Sequence, residues 1–261
     1  MSFNVPLGVG GVLDTIGAVT ASSRGTALGT SYTEMISATA APYEGFWLNL
    51  QDGTAADQLI DIGIGGAGSE QTLIEDIYLC SITSDGFQNA DCIYIPIRIP
   101  EGARVAGRSS SAIDATIVGA NGGPGFMRGY AGCETYGISS GIGTQMTGSD
   151  SANSKGGWAQ ITAATGFHIK ALMAIIGRNN NNSLTDADFL FDVGIGGAGS
   201  EQVLIPDLPF TANATRDTVR PRIFGPFPVD VPEGSRLSGR IQGTTTTNPD
   251  DNMDLVLYGF Y

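Results

Sequence analysis

The chain has 261 residues, a formal net charge of −13 and only 15% charged residues. Nucleic-acid binding requires a clustered basic patch, whereas the 11 arginines are spread along the sequence, so we do not expect that role. No run of about 18 apolar residues occurs, which argues against a membrane-spanning helix.

Residues 1–11 are rich in glycine and contain few polar groups, and they lack the basic segment of a signal peptide. Phe3, Val5, Leu7 and Val9 stand at alternate positions, so an extended arm would present all four side chains on one face. We expect this arm to become ordered by packing as an added edge strand on a neighbouring subunit.

Short apolar segments punctuated by Gly, Asn, Asp and Pro follow, and several alternate in polarity with a period of two. This pattern is typical of half-buried strands rather than helices. Strands are predicted in the first half at 32–39, 45–51, 58–64, 71–80, 92–99, 103–109 and 112–119. In the second half they are predicted at 157–163, 166–176, 187–195, 201–206, 222–231, 235–242 and 253–261.

The two halves repeat one another in the same order. DIGIGGAGSEQTLI at 61–74 returns as DVGIGGAGSEQVLI at 192–205, and PEGARVAGR at 100–108 returns as PEGSRLSGR at 232–240. Shorter and less similar repeats also occur at the start and at the end of each half. The second copy of the long segment starts 131 residues after the first (192 − 61), which is the size of a whole domain and not of a solenoid repeat. The sequence therefore predicts an all-β chain of two tandem jelly-roll-like β-sandwich domains that arose by internal duplication.

The predicted organisation is an arm at 1–11, a first repeat at 12–120, a Gly-rich linker at 121–131 and a second repeat at 132–261. Pro96, Pro226 and Pro228 fall inside predicted strands. Proline cannot donate to a strand ladder, so these three segments should lie at a sheet edge or at a bulge.

Each long echo contains GxGxxG, at Gly63–Gly68 and at Gly194–Gly199. A dinucleotide site would need a helix directly after the glycines, yet Pro206 and Pro209 would interrupt one in the second copy. We therefore expect strand–loop–strand turns in which glycine supplies positive φ, and no nucleotide cofactor.

Two arginines recur in each PEG segment, Arg104 with Arg108 and Arg236 with Arg240. Residues four apart share one face of a strand, so each pair lines the same side. Salt bridges to a neighbouring subunit and simple surface solubility are equally compatible with this placement.

Other reactive residues form no recognisable catalytic or metal-binding pattern. His168 is the only histidine and has no counterpart in the first half, which favours a structural or surface role. Cys80 and Cys92 are predicted as buried thiols, although a bond between them on paired strands stays open. The acidic groups at Asp186, Asp188 and Asp192 and at Asp250, Asp251 and Asp254 are expected to be solvated loop tips, with calcium as the alternative.

The succession of DIGIGGAGSEQ, a proline-flanked strand, PEGxR and a terminal strand ending LYGFY resembles virion structural proteins of tailed bacteriophages. The resemblance implies β-sandwich or jelly-roll modules, assembly in the host cytoplasm into a virion, and partners that are other copies of the chain and a capsid or tail protein. The short chain, without a fibrous segment, favours a capsid decoration (cement) protein.

The expected function is therefore structural and non-enzymatic. The alternative is a tail-associated fibre or receptor- and glycan-binding protein, in which Trp158 or Trp47 would line a groove. A glycan hydrolase, with two carboxylates facing each other in a cleft, ranks third.

Overall fold

The computed structural model describes residues 12–16, 25–51, 58–79, 91–121, 129–139, 142–178, 187–212, 222–244 and 253–261. Within these ranges the chain is all-β and contains no helix. Accordingly, no helix in the described ranges is long and apolar enough to cross a membrane. The chain folds into two compact units, and the boundary between their main segments falls between Cys133 and Glu134 in the sequence.

The first unit is built from nine strands in the described residues. They are β1 (Val12–Ile16), β2 (Thr26–Leu28), β3 (Thr33–Ile36), β4 (Gly45–Gln51), β5 (Gln58–Ile64), β6 (Gln71–Leu79), β7 (Asp91–Ile95), β8 (Val105–Ser109) and β9 (Ile113–Asn121). One sheet has the order β1-β9-β4-β7, with β2 also pairing with β9, and the other has the order β3-β8-β5-β6.

The second unit is built from another nine described strands. They are β10 (Cys133–Tyr136), β11 (Thr144–Met146), β12 (Ala159–Thr162), β13 (Ile169–Arg178), β14 (Ala187–Ile195), β15 (Gln202–Ala212), β16 (Arg222–Val231), β17 (Leu237–Gly243) and β18 (Met253–Phe260). The sheets have the orders β10-β18-β13-β16, with β11 also on β18, and β12-β17-β14-β15.

Strand order is the same in the two units, since each strand of the first corresponds to the strand nine places later. A five-stranded and a four-stranded antiparallel sheet with these crossovers form a jelly roll in each unit. The prediction of two tandem jelly-roll-like sandwiches from an internal duplication is therefore confirmed.

Alternating side chains build the core between the two sheets of each unit. In β4, Phe46, Leu48 and Leu50 are fully buried, and in β14 the same is true of Phe191 and Val193. The period of two in the sequence therefore reports a sandwich interior. Predicted and observed bounds agree for β4, β5, β14 and β16.

Proline positions agree with an edge location. Pro226 and Pro228 lie in β16, an edge strand whose pairing with β13 shifts register twice. Pro96 follows directly after β7, which is also an edge strand. The predicted strand 201–206 proved too short: β15 continues through Pro206 and Pro209 to Ala212, because this strand also lies at a sheet edge and its unpaired side needs no N–H donor.

Only the ends of the predicted linker are described. Strand β9 extends to Asn121, and Tyr130 forms a parallel bridge with Ile97 in the first unit. The Tyr130 amide donates to the Pro96 carbonyl at 2.6 Å, and the Gly129 amide donates to the Glu44 carboxylate at 2.9 Å. The described end of this segment is thus anchored to the first unit.

Candidate functional site

The repeated glycine-rich segment forms the turn between β5 and β6 and, in the second unit, between β14 and β15. Gly65 and Gly196 have φ of 117° and 119°, while Gly68 and Gly199 both have φ of 79°. A strand follows in both copies, not a helix. The predicted strand–loop–strand turn with positive φ is confirmed, because only glycine adopts these angles without strain.

The first arginine of each PEG segment fastens this turn. The Arg104 Nη1 group donates to the Gly65 carbonyl at 3.2 Å and to Glu70 Oε1 at 2.8 Å. In the second unit, Arg236 does the same to Gly196 at 3.1 Å and to Glu201 at 2.8 Å. The PEG segment and the glycine turn thus form one contact in each unit.

The acidic residue of each turn is held ionised. Hydrogen bonds from backbone amides, first its own, together with the bond from Arg104 hold the pKa of Glu70 below its ordinary value. The same donors, with Arg236, lower the pKa of Glu201. A carboxylate that accepts several hydrogen bonds favours its charged form, which suits a fixed structural anchor.

A threonine with only a faint sequence signal fixes the other end of each PEG segment. The Thr39 hydroxyl donates to the Pro100 carbonyl at 2.6 Å and accepts from the Ala103 amide at 3.1 Å. Thr165 makes the same two bonds, to Pro232 at 3.0 Å and from Ser235 at 3.2 Å. The sequence did not predict these contacts, because SAT at 37–39 is matched only by AAT at 163–165.

The repeated aspartate binds the second arginine of each PEG segment. Asp61 Oδ2 accepts from Arg108 Nε at 2.6 Å, and Oδ1 accepts from the Asp76 amide at 2.7 Å. Asp76 itself has φ of 53°, a region that Asp tolerates better than most residues. Asp61 is buried, so the two donors offset the loss of its hydration.

The second unit repeats this arrangement with Asp192. Asp192 accepts from Arg240 Nε at 2.8 Å and from the Asp207 amide at 2.9 Å, and Asp207 has φ of 52°. The guanidinium of Arg240 lies 4.3 Å from the ring centre of Trp158. The first unit has Arg108 over Tyr32 at 4.9 Å. We call each set of aspartate, arginine and aromatic ring the buried-aspartate cluster.

The predicted arginines are therefore used inside their own units. Arg104, Arg108, Arg236 and Arg240 all bind carboxylates that belong to the same jelly roll. A further role of these arginines in salt bridges to a neighbouring subunit stays a prediction. Phe3, Val5, Leu7 and Val9 lie outside the described residues, so packing of the arm on a neighbour stays a prediction.

The two units differ at one point of this cluster. In the second unit Lys155 Nζ donates to Asp192 Oδ1 at 2.8 Å and to Asp207 Oδ1 at 2.7 Å. Lys155 belongs to the loop 147–158 between β11 and β12, whereas the loop between β2 and β3 spans only 29–32. Burial tends to raise the pKa of Asp192, but the bonds from Lys155, the Asp207 amide and Arg240 outweigh it and lower that pKa.

The remaining sequence candidates lie apart from the clusters. His168 is exposed and pairs with Asp230 at 2.6 Å. Asp188 accepts from the Thr211 hydroxyl at 2.8 Å, while Asp186, Asp250 and Asp251 lie outside the described residues. The expectation of solvated loop tips is wrong for Asp192 and Asp254, because both are buried within strands, β14 and β18. Within the described part of the chain, no group of three or more His, Cys, Asp or Glu side chains is placed to hold a metal ion.

The cysteine prediction needs one correction. Cys92 is exposed rather than buried, because it lies on β7 with Ile93 facing the core. Cys133 is half-buried, and Cys80 lies outside the described residues, so a bond between Cys80 and Cys92 is untested.

Both tryptophans pack against neighbouring side chains. Trp47 packs against Tyr94 with ring centres 4.7 Å apart, and Trp158 covers Arg240. A different aromatic pair is more exposed: Phe167 has 46% of its surface exposed and stacks on Tyr261 with ring centres 3.9 Å apart. Neither residue of this pair belongs to a repeated motif, so the sequence alone does not single them out.

No protein-family model matches the chain, and no curated protein matches it. Among solved structures, one similar chain is the N-terminal CBM22-1-CBM22-2 tandem domain from Paenibacillus barcinonensis Xyn10C. The similarity covers 99% of this chain and 94% of that chain, with 9% sequence identity and a TM-score of 0.26. A TM-score this low carries no inference about fold or function.

Proposed function

We propose that the protein is a non-enzymatic virion structural protein that decorates and stabilises a capsid lattice. One observation carries the proposal: the polar residues that recur between the halves are used in contacts that hold each jelly roll together. Gly65, Arg104 and Glu70 fix a turn, and Asp61 with Arg108 fixes a strand pair. Duplication thus preserved a scaffold, which is what a structural protein needs.

The amino-acid composition supports the same role. Charged residues form only 15% of the chain, and 38 residues are glycine. Few long charged side chains must be desolvated or ordered when such a surface is covered, so large contact areas are favourable. Two similar jelly rolls on one chain also offer two similar contacts to a lattice, and linked weak sites gain avidity.

The partners in this proposal are other copies of the chain and a capsid protein, in a virion assembled in the host cytoplasm. The test compares particles that lack the protein with complete particles. We expect them to lose thermal or osmotic stability while their adsorption to cells stays near normal. Stable particles that no longer adsorb would contradict decoration and indicate a tail-borne receptor binder.

A second candidate, a receptor- or glycan-binding protein, is favoured by the Phe167 and Tyr261 stack. An exposed aromatic face can stack on the apolar side of a sugar ring, and the neighbouring His168, Lys170 and Asp230 supply polar groups. The positions of the first unit that are equivalent to Phe167 and Tyr261 hold Ala41 and Asn121, so this pair is not repeated there.

Glycan binding can be tested separately from decoration. On a glycan array, Phe167→Ala should abolish any signal, while Val203→Ala, which removes an equally exposed aliphatic side chain, should leave it unchanged. A wild-type protein without signal, or equal loss in both variants, would remove this second candidate and leave the decoration proposal untouched.

A further inference from the structure

A cavity of about 260 Å³ opens on the second unit beside strands β14, β15 and β17. Phe189 and Phe191 of β14 are buried in the core, so Asp188 and Leu190, which alternate with them, lie on the opposite face of the sheet. The cavity therefore lies over the outer face of the sheet β12-β17-β14-β15. The side chains of its lining that matter below are Asn153, Asp188, Leu190, Pro209, Thr211 and Gln242.

The floor of the cavity is apolar at its centre. Leu190 pairs with Pro209 of β15 on one side and with Gln242 of β17 on the other, and cross-strand partners lie side by side on one face. Leu190 is half-buried and Pro209 is exposed, so this apolar surface is open to solvent. The loop 147–158 bounds one side, where the Asn153 amide donates to the Gly243 carbonyl at 2.8 Å.

Polar groups surround this apolar floor. The Thr211 hydroxyl donates to Asp188 Oδ1 at 2.8 Å, and the Asp188 amide donates to Thr244 Oγ1 at 3.1 Å. These bonds fix the carboxylate and leave its Oδ2 and the Thr244 hydroxyl proton available to a ligand. Within the described residues, the side-chain amides of Asn153 and Gln242 make no hydrogen bond, so they can donate to a ligand and accept from it.

This set of groups restricts the class of ligand. The Asp188 carboxylate would repel an inorganic anion, and the described residues place no group of three or more His, Cys, Asp or Glu around a metal ion. The amides need a ligand that both donates and accepts, and the floor needs an apolar body. A sugar ring combines the two, because its hydroxyl groups donate and accept and its C–H groups form an apolar face. The volume lies just below the range of about 300–1,000 Å³ for drug-sized ligands, which indicates a single ring.

We propose that this cavity binds one sugar ring, with the C–H groups on Leu190 and Pro209 and the hydroxyl groups on Asp188 and Gln242. The site is additional to capsid decoration and does not depend on it. It is also separate from Phe167, which directly precedes β13 in the other sheet of this unit. Contacts with one ring give weak binding in fast exchange, which a washed array does not retain and which NMR in solution measures.

The first unit should not bind a ring in this way. Leu59 and Ser110 are the equivalents of Leu190 and Gln242, because they lie two residues before the repeated aspartate and two residues after the second arginine of the PEG segment. Ser110 Oγ accepts from the Leu59 amide at 3.0 Å, so this hydroxyl is bound to its own backbone neighbour. The longer Gln242 side chain reaches the cavity instead.

The test titrates the full chain separately with the methyl α-pyranosides of glucose, galactose, mannose and N-acetylglucosamine and follows amide resonances by NMR. At least one of them should cause saturable shifts at Leu190, Thr211 and Thr244. 2-Methoxytetrahydropyran, which has the same ring without hydroxyl groups, should not reproduce these shifts. The absence of saturable shifts with all four sugars, or equal shifts with the ring ether, would overturn the proposal.

Two variants test the roles of the polar groups. Asp188→Asn should weaken binding about tenfold or more, because a hydrogen bond to a charged group is replaced by a neutral one. Gln242→Leu has a similar size and should weaken binding about three- to tenfold. The matched control Gln202→Leu changes an exposed glutamine of the same sheet outside the cavity and should leave binding unchanged. If Asp188→Asn disturbs the fold, Gln242→Leu decides, and unchanged binding in that variant would overturn the proposal.

A further variant separates the cavity from the aromatic stack. Phe167→Ala should leave the shifts at Leu190 and Thr211 unchanged, and their loss would show that the sugar binds at the stack and would contradict the cavity site. A free sugar and the end of a glycan chain present the same ring. A disaccharide of the bound sugar that binds at least as tightly indicates a glycan, and weaker binding indicates a free sugar. Failure of every probe would contradict this inference without bearing on capsid decoration.

Discussion

The two jelly rolls share the contacts of their buried aspartates and differ in an exposed ion pair. Asp61 and Asp192 make the same bonds to an arginine and to a backbone amide. By contrast, an exposed ion pair has reversed its charges: Glu44 with Arg98 in the first unit corresponds to Lys170 with Asp230 in the second. The bridge of Tyr43 to Ile99 matches the pair Ile169 and Val231, which establishes the correspondence.

This contrast follows from the energy of each interaction. An exposed ion pair contributes about 0–1 kcal/mol, so its two charges can exchange places with little effect. Removing one partner of a buried ion pair costs several times more, since the charge left behind stays desolvated. The contacts retained between the units are therefore those in which a single substitution would cost the most stability. Matched substitutions in the two units can measure this cost.

The largest expected effect is that of Asp192→Ala. It leaves Arg240 and Lys155 without their shared carboxylate, and the Asp192 side chain is only 3% exposed. We expect the free energy of unfolding to fall by about 3–5 kcal/mol. Asp61→Ala should cost less, about 1–3 kcal/mol, because Arg108 is 48% exposed and can be solvated. Urea unfolding of both variants measures the difference, and equal losses would contradict the role assigned to Lys155.

The next effect concerns the first glycine of each GxGxxG. A Cβ at Gly194 would lie 2.6 Å from the ring of Trp158, whereas at Gly63 the nearest atom of Tyr32 is 3.2 Å away. Gly194→Ala should therefore cost about 1–3 kcal/mol through overpacking, and Gly63→Ala less than about 1 kcal/mol. A blue- or red-shifted Trp158 emission in Gly194→Ala would show that the ring has moved away from Arg240.

Gly68→Ala and Gly199→Ala form the matched control for that comparison. Both glycines have φ of 79° and open space at the Cβ position. Each substitution should cost about 1–2 kcal/mol from backbone strain alone. Unequal values would indicate that the two turns are not equivalent, despite their shared sequence.

The sequence was sufficient for the architecture because the repeat and the period-two alternation both report on the backbone. It did not reveal β1, β2, β10 and β11, which are short and lack a clear alternating pattern. It paired Arg104 with Arg108 on one face but not with Glu70 and Asp61, since these contacts join segments more than 30 residues apart. It also could not place Lys155, because its contacts depend on a loop that is long in one copy and short in the other.

The smallest effect is a difference in pH dependence between the units. The pKa of Asp192 is lowered in the folded state, so its stabilisation is present above the unfolded pKa of about 3.9 and is lost as the pH falls through the folded value. The pKa of Asp76 is raised, so folding binds a proton there and stability increases as the pH falls through its folded value. Acidification should therefore stabilise the first unit relative to the second.

This difference can be measured because each unit contains one tryptophan. Trp158→Phe leaves Trp47 to report on the first unit, and Trp47→Phe leaves Trp158 to report on the second. Between pH 7 and pH 3, the urea midpoint of the first unit should rise relative to that of the second. Asp76→Asn should remove the gain of the first unit, because an amide cannot take up a proton in this range. Lys155→Met should reduce the loss of the second unit, because it removes the strongest bond that lowers the pKa of Asp192. The difference between the two urea midpoints could instead keep the same pH dependence in both variants. Other carboxylates would then set the acid response, and the contrast between the two clusters would have no thermodynamic consequence.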